Sequence, residues 1–220
     1  MKFTKEEIRS SMLLYAITDR MWLKPGQTLS EVTEQVLQNG ATFLQIREKD
    51  LEEADFERES AALKAMCARY RVPFVVNDSV EIALECDADG VHVGQSDIKG
   101  RDIRAMLGPD KILGISAGCV AEAIAAQAAG ADYIGVGAVF HTSTKKDAKD
   151  MTREQLLAIR NSVSIPVVAI GGISKRNILE LSGSGVDGVA VVSALFGAEN
   201  PGSATAELKK LSAQMVAAHE

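Results

Sequence analysis

Three features of the sequence predict its fold class. Short apolar runs alternate strictly with helix-patterned text, most of the runs are apolar on both faces, and three helix-to-strand junctions echo one another. Strands apolar on both faces belong in a parallel sheet covered by helices. Eight such units in 220 residues predict an α/β protein, a single-domain (β/α)8 TIM barrel spanning residues 1–220 with a short N-terminal helical segment. A doubly wound open sheet is the alternative that the alternation alone leaves open.

The strand-like runs occupy 12–18 (MLLYAIT), 41–47 (ATFLQIR), 72–76 (VPFVV), 90–94 (GVHVG), 111–116 (KILGIS), 132–140 (DYIGVGAVF), 165–171 (IPVVAIG) and 188–196 (GVAVVSALF). Between them the period changes to that of a helix. Thr28 and Glu31 form a capping-box pattern ahead of Leu29, Val32, Val36 and Leu37, and Gly40 ends that helix. The alanine-rich stretch 119–129 ends at Gly130, and Thr152 with Gln155 makes a second capping box. Ser174 is the expected cap of a helix holding Ile178, Leu179 and Leu181, and a last helix starts near Ser203. The echoing junctions are Ala88-Asp89-Gly90, Ala131-Asp132-Tyr133 and Val186-Asp187-Gly188.

Composition narrows the function. The net charge of -6 argues against nucleic acid or an anionic membrane as the main partner. No apolar run is long enough to span a bilayer. The charged start MKFTKEEIRS lacks the apolar core of a signal peptide, so a cytoplasmic location is expected. Cys67, Cys86 and Cys119 are odd in number and widely spaced, and they read as reduced thiols filling core space. A homo-oligomer is compatible with this composition.

In a (β/α)8 barrel, function collects where strands end. The second run ends in Gln45-Ile46-Arg47-Glu48-Lys49. Extended backbone points Gln45, Arg47 and Lys49 the same way; an exposed basic strand end is the plainer alternative. The third run ends in Asn77-Asp78, which read alone is a helix cap, and the fourth leads to Asp97, which read alone is a turn residue. Following adjacent strands, the two aspartates can converge, and paired with phosphate-binding cations they suit Mg2+. Ser116 ends the fifth run. The sixth opens into HTSTKKDA, where three hydroxyls (Thr142, Ser143, Thr144) and two lysines (Lys145, Lys146) suit phosphate oxygens. Gly171-Gly172 and Val192-Ser193 follow the seventh and eighth runs, where barrels frequently bind phosphate. One anion site thus lies near the second to fourth strands, another near the sixth to eighth. A Mg2+-dependent displacement between two phosphorylated small molecules fits that layout.

The ordered set QIREK, ND, HVGQSD, GIS, YIGVGAVFHTSTKKDA, AIGGI and VVSA resembles thiamin phosphate synthase (thiamin-phosphate pyrophosphorylase) from Tyr15 to about Phe196. The resemblance implies a transferase. It would join 4-amino-5-hydroxymethyl-2-methylpyrimidine diphosphate to 4-methyl-5-(2-phosphooxyethyl)thiazole, or its carboxylated form, releasing pyrophosphate in a dissociative substitution. It further implies that Gln45, Ile46, Arg47, Glu48, Lys49, Asn77, Ser116 and Lys145 hold the pyrimidine diphosphate, and that Asp78 and Asp97 bind Mg2+. Thr142, Ser143, Thr144, Gly171, Gly172, Val192 and Ser193 would hold the thiazole phosphate. Arg47, Lys49, Lys145 and Ser116 are the implied catalytic set. His141 stands where family members often carry Pro and reads as a spacer; His92 reads as structural. A thiazole tautomerase-like barrel and a non-catalytic binder of thiamin precursors are the competing readings, and the retained aspartates and cations disfavour both.

Overall fold

The structure is a computed structural model that describes residues 3–48, 51–142 and 150–218. Eight parallel strands close in sequence order: β1 (Leu14–Ile17), β2 (Phe43–Ile46), β3 (Phe74–Asn77), β4 (Gly90–Val93), β5 (Ile112–Ala117), β6 (Tyr133–Val136), β7 (Val167–Ile170) and β8 (Gly188–Val191). β8 pairs back onto β1 through Tyr15 and Ala190, so no edge is left open. This is the (β/α)8 barrel that the alternation predicts.

The helices are α1 (Lys5–Ser11), α2 (Leu29–Gln38), α3 (Glu53–Tyr70), α4 (Val80–Glu85), α5 (Ile103–Leu107), α6 (Val120–Ala128), α7 (Arg153–Asn161), α8 (Ser193–Phe196) and α9 (Pro201–Ala217). Both capping boxes form: the Thr28 hydroxyl accepts from Glu31 N–H and the Thr152 hydroxyl from Gln155 N–H, with reciprocal bonds back. A third, Thr4 with Glu7, starts α1. None of the helices among the described residues is long and apolar enough to cross a membrane.

Side chains alternate between two cores. Outward-facing residues such as Leu44, Val76, Val91, Ile134 and Val189 pack under the helices. Inward-facing Tyr15, Phe43, Val75, Ile112, Tyr133, Val168 and Ala190 fill the barrel, and Ile8 and Met12 join them from below. The N-terminal helix therefore plugs the bottom of the barrel. Arg9 fastens it there, donating to the Asp187 carboxylate and, at 2.7 Å, to the Ser164 carbonyl.

The echoing junctions perform one task three times. Asp89 N–H donates to the Phe74 carbonyl while its carboxylate accepts the Phe74 N–H. Asp132 does the same with Leu113 and Asp187 with Val167. Each carboxylate also takes a cation: Lys64, Arg104 and Arg9 respectively. Before β2, Thr42 plays the same part toward Leu14 with its hydroxyl. These fasteners sit at the N-terminal ends of strands, the face that barrels use for stability.

Four expectations need correction. The sixth strand ends at Val136, because Val139 and Phe140 N–H turn to the Ile170 and Gly171 carbonyls. The eighth ends at Val191, and Ser193–Phe196 is a turn of helix; an unbroken apolar run cannot separate buried strand from buried helix. Ser174 does not cap an α-helix: Ile178–Leu181 is 3-10, and Asn177 Oδ1 accepts from Ser174 N–H. Cys67 is buried and Cys86 half-buried, but Cys119 is exposed at the start of α6, so that thiol fills no core space.

Candidate active site

The alternation in β2 decides the first half of the mouth. Gln45 points inward and is buried, Ile46 packs outward under the helices, and Arg47 returns to the mouth side. Gln45 Nε2 donates to Tyr15 Oη at 2.6 Å. Arg47 Nη1 lies 3.2 Å from Asp19 Oδ2, and Arg47 N–H donates to the Thr18 hydroxyl at 2.9 Å. Asp19 is itself held by accepting from Met21 N–H, so it fixes the guanidinium from the β1 side. A pinned fork is preorganised for phosphate oxygens in a way a free lysine is not.

Glu48 turns away from the mouth. Its side chain is 1% exposed and accepts from Arg20 Nε at 2.5 Å and from the Thr18 hydroxyl at 3.1 Å. Burial raises its pKa, opposed by Arg20 and Thr18. Arg20 also donates to Glu59. Glu48 and Ile46 thus face other partners, and only their main chain is left to meet a substrate. Lys49 lies outside the described residues.

β3 ends at Asn77, whose Nδ2 donates to Asp78 Oδ2 at 2.5 Å. Asp78 adopts φ 64°, and its N–H donates to the His92 carbonyl, tying the β3 loop to β4. Asp97, in the loop after β4, accepts from Gly94 N–H at 2.9 Å. These are hard oxygen donors on loops of adjacent strands. Among the described residues no group of three or more His, Cys, Asp or Glu side chains gathers as a metal centre. Carboxylate oxygens such as those of Asp78 and Asp97 are of the kind that Mg2+ accepts beside water and substrate phosphate.

Across the interior runs a hydrogen-bonded chain that sequence reading missed. Tyr15 Oη and Tyr133 Oη are 2.8 Å apart, Tyr133 Oη and His92 Nδ1 3.0 Å, and His92 Nε2 and Ser116 Oγ 3.0 Å. It joins Gln45 on β2 to Ser116 on β5. Glycines clear its path. A Cβ on Gly114 would stand 2.2 Å from Tyr133 Cζ and 2.6 Å from His92 Nδ1. Burial, foremost, pushes both phenols above their ordinary pKa, so they stay neutral. The available signal was parity: inward Tyr residues in buried strands need partners for their hydroxyls.

The second half of the mouth lies across from β2–β4. Gly171 and Gly172 have φ of 103° and 64°. A Cβ on Gly171 would stand 2.5 Å from Ala138 Cβ, and one on Gly172 2.3 Å from the His141 carbonyl oxygen. The glycines therefore let the β7 loop lie against the β6 loop. Asn177 Nδ2 donates to the Gly172 carbonyl at 2.9 Å and holds the turn. Thr142 is half-buried beside it, while His141 is exposed, 3.7 Å from Asp150. Val192 and Ser193 begin α8 at the end of β8. Ser143, Thr144, Lys145 and Lys146 lie outside the described residues. A cavity of about 500 Å³ on the flank, lined by Ser174, Lys175, Asn200, Ser203 and Glu207 among others, contains none of these candidates.

A closed parallel barrel whose polar side chains crowd the C-terminal ends of its strands defines a (β/α)8-barrel enzyme, with its site at the upper face. The family described as Thiamine monophosphate synthase matches residues 14–195. Thiamine-phosphate synthase of Clostridium botulinum is 47% identical over 197 residues, covering 90% of this chain and 92% of the relative. That of Methanobrevibacter smithii is 46% identical over 197 residues, covering 90% and 93%. Among solved structures, thiamine phosphate pyrophosphorylase from Pyrococcus furiosus superposes with a TM-score of 0.86 at 40% identity, over 94% of this chain and 98% of that one. The chain belongs to the thiamine monophosphate synthase family, and with it to the transferases.

Proposed function

We propose that this enzyme joins 4-amino-5-hydroxymethyl-2-methylpyrimidine diphosphate to thiazole phosphate, plain or carboxylated, giving thiamin phosphate and pyrophosphate, with CO2 also released from the carboxylated form. The carrying observation is the division of the mouth into two unlike halves. One has a pinned arginine, an asparagine and an aspartate on each of two adjacent loops; the other has glycine turns beside hydroxyls. Family membership across residues 14–195 supports the same reading.

The chemistry asks little of acids or bases. Loss of pyrophosphate leaves a methylene cation that the aminopyrimidine stabilises, and the thiazole nitrogen then attacks. Arg47, Lys49 and Lys145 would stabilise the departing diphosphate in a site that excludes water. Asp78 and Asp97 would hold Mg2+, which neutralises charge on the leaving group. Gln45, Asn77 and Ser116 would orient the pyrimidine. Thr142, Ser143, Thr144, the Gly171-Gly172 turn and Val192-Ser193 would hold the thiazole phosphate so that its nitrogen meets the cation.

The test is to mix the protein with both precursors, with and without Mg2+, and follow thiamin phosphate by its fluorescent thiochrome derivative. Mg2+-dependent product is expected, with Asp78→Ala losing about a hundredfold in turnover. Folded protein that binds the precursors without turning them over would refute the reading.

A further inference from the structure

The buried chain Gln45–Tyr15–Tyr133–His92–Ser116 has a direction. Gln45 Nε2 can only donate, so the Tyr15 oxygen accepts at 2.6 Å. A neutral phenol has one proton. Tyr15 Oη has room to accept from Tyr133 as well, but its own buried proton would then have no acceptor among the described residues. The order that uses every proton has Tyr15 donating to Tyr133 Oη at 2.8 Å and Tyr133 donating to His92 Nδ1 at 3.0 Å. A nitrogen that accepts carries no proton, so the imidazole proton sits on Nε2 and donates to Ser116 Oγ at 3.0 Å. The Ser116 proton is then left for a partner other than His92. At the other end Gln45 keeps its oxygen, which accepts no hydrogen bond from the described residues.

We infer that Tyr15, Tyr133 and His92 are positioning residues that set the polarity of the pyrimidine site, making Ser116 a donor and Gln45 Oε1 an acceptor. This rests on the proposed pyrimidine diphosphate reading only for the identity of the ligand. An aminopyrimidine matches the polarity. Its exocyclic amine donates to an amide oxygen, while its ring nitrogens and its diphosphate accept from a hydroxyl. Reversing the chain would turn Ser116 into an acceptor and present the Gln45 amide NH2, which suits an oxo-pyrimidine. The interior glycines support a built device: a Cβ on Gly114 would strike both Tyr133 and His92, and one on Gly135 would stand 3.3 Å from His92 Cε1.

Two measurements test this. The first needs no substrate. Nitrogen-15 NMR of the whole protein, with only three histidines to assign, reads the His92 tautomer directly. We expect a neutral ring protonated at Nε2 in the wild type and in Ser116→Ala, and mixed tautomers in Tyr133→Phe. A His92 protonated at Nδ1, or charged at neutral pH, overturns the inference whatever the enzyme makes. The second compares binding of the 4-amino pyrimidine diphosphate with its 4-oxo analogue. The wild type should prefer the amine by about 10- to 100-fold, and Tyr15→Phe should collapse that preference while leaving thiazole phosphate affinity unchanged. Equal discrimination by Tyr15→Phe and wild type overturns it too. The expected tautomer in a protein that makes no thiamin phosphate sinks the functional reading alone.

Discussion

Replacing Asp132 by alanine separates stability from function in this barrel. The Asp132 side chain is 11% exposed, and its Oδ2 accepts from Leu113 N–H at 2.8 Å and from Arg104 Nη2 at 2.7 Å. Alanine leaves the Leu113 N–H, deep under the β5–β6 pair, without its acceptor, at about 1–3 kcal/mol. Stripping a buried ion pair of one member commonly costs ~3–5 kcal/mol. Here the loss is smaller, because Arg104 still donates to the Gly108, Lys111 and Gly130 carbonyls. Counting about 1 kcal/mol for the lost charge contact, the sum is about 3 kcal/mol. For a chain of this length that lowers Tm by roughly 6–12 °C. Asp132→Asn keeps an oxygen for Leu113 and should cost about 1 kcal/mol. The assay is calorimetry or urea unfolding at neutral pH, with kcat measured per folded molecule. Both variants should keep near-wild-type kcat, since the fastener lies at the bottom and the site at the top. An alanine variant within 2 °C of the wild type, on the scale just cited, or one as stable as the asparagine variant, would refute the reasoning.

Three further outcomes are expected. Arg47→Ala should lower kcat/KM for pyrimidine diphosphate by about a hundredfold; Arg47→Lys should not restore it, because the fork is lost, and Asp19→Ala, which unpins the fork, should cost about tenfold in steady-state kinetics. Gly172→Ala forces a side chain onto φ 64° and into the His141 carbonyl, and should raise KM for thiazole phosphate by about tenfold while sparing KM for pyrimidine diphosphate. The capping-box carboxylates Glu7 and Glu31 sit below the usual range because Thr4 and Thr28 N–H groups bond the charged form. Their folded pKa values are depressed, so their contribution is present above the unfolded value and lost as pH falls through the folded one. Tm followed from roughly pH 6 to 3 should drop less steeply in the Glu7→Gln, Glu31→Gln double variant than in the wild type.

Much of this was legible because two periodicities carry it. The capping boxes at Thr28 and Thr152 were readable since side-chain oxygens and backbone N–H groups three residues apart leave a local mark. The parity of Gln45 and Arg47 followed from the pleat. Lengths were less legible: the runs at 132–140 and 188–196 overshoot, because what ends β6 and β8 is contact with the β7 loop and a helical turn, and neither is local in sequence. Glu48 illustrates another limit. Its neighbours in sequence suggest the mouth, yet Arg20 and Thr18, about 30 residues upstream, claim its carboxylate. Tyr15 and Tyr133 look like core residues, and only closure of the barrel brings their hydroxyls together, 118 positions apart. Asp132 and its two counterparts were visible as a repeat, but their task appears only once adjacent strands are side by side.

That repeat has a consequence for how the ring could be opened. Thr42, Asp89, Asp132 and Asp187 each bind the strand just before their own, so the barrel divides into four two-stranded staves, β1β2, β3β4, β5β6 and β7β8. New termini placed in the connections between staves keep each fastener and its strand on one continuous segment. Termini placed within a stave split them, and a circularly permuted chain cut there would have to rejoin its two halves before that pin could close.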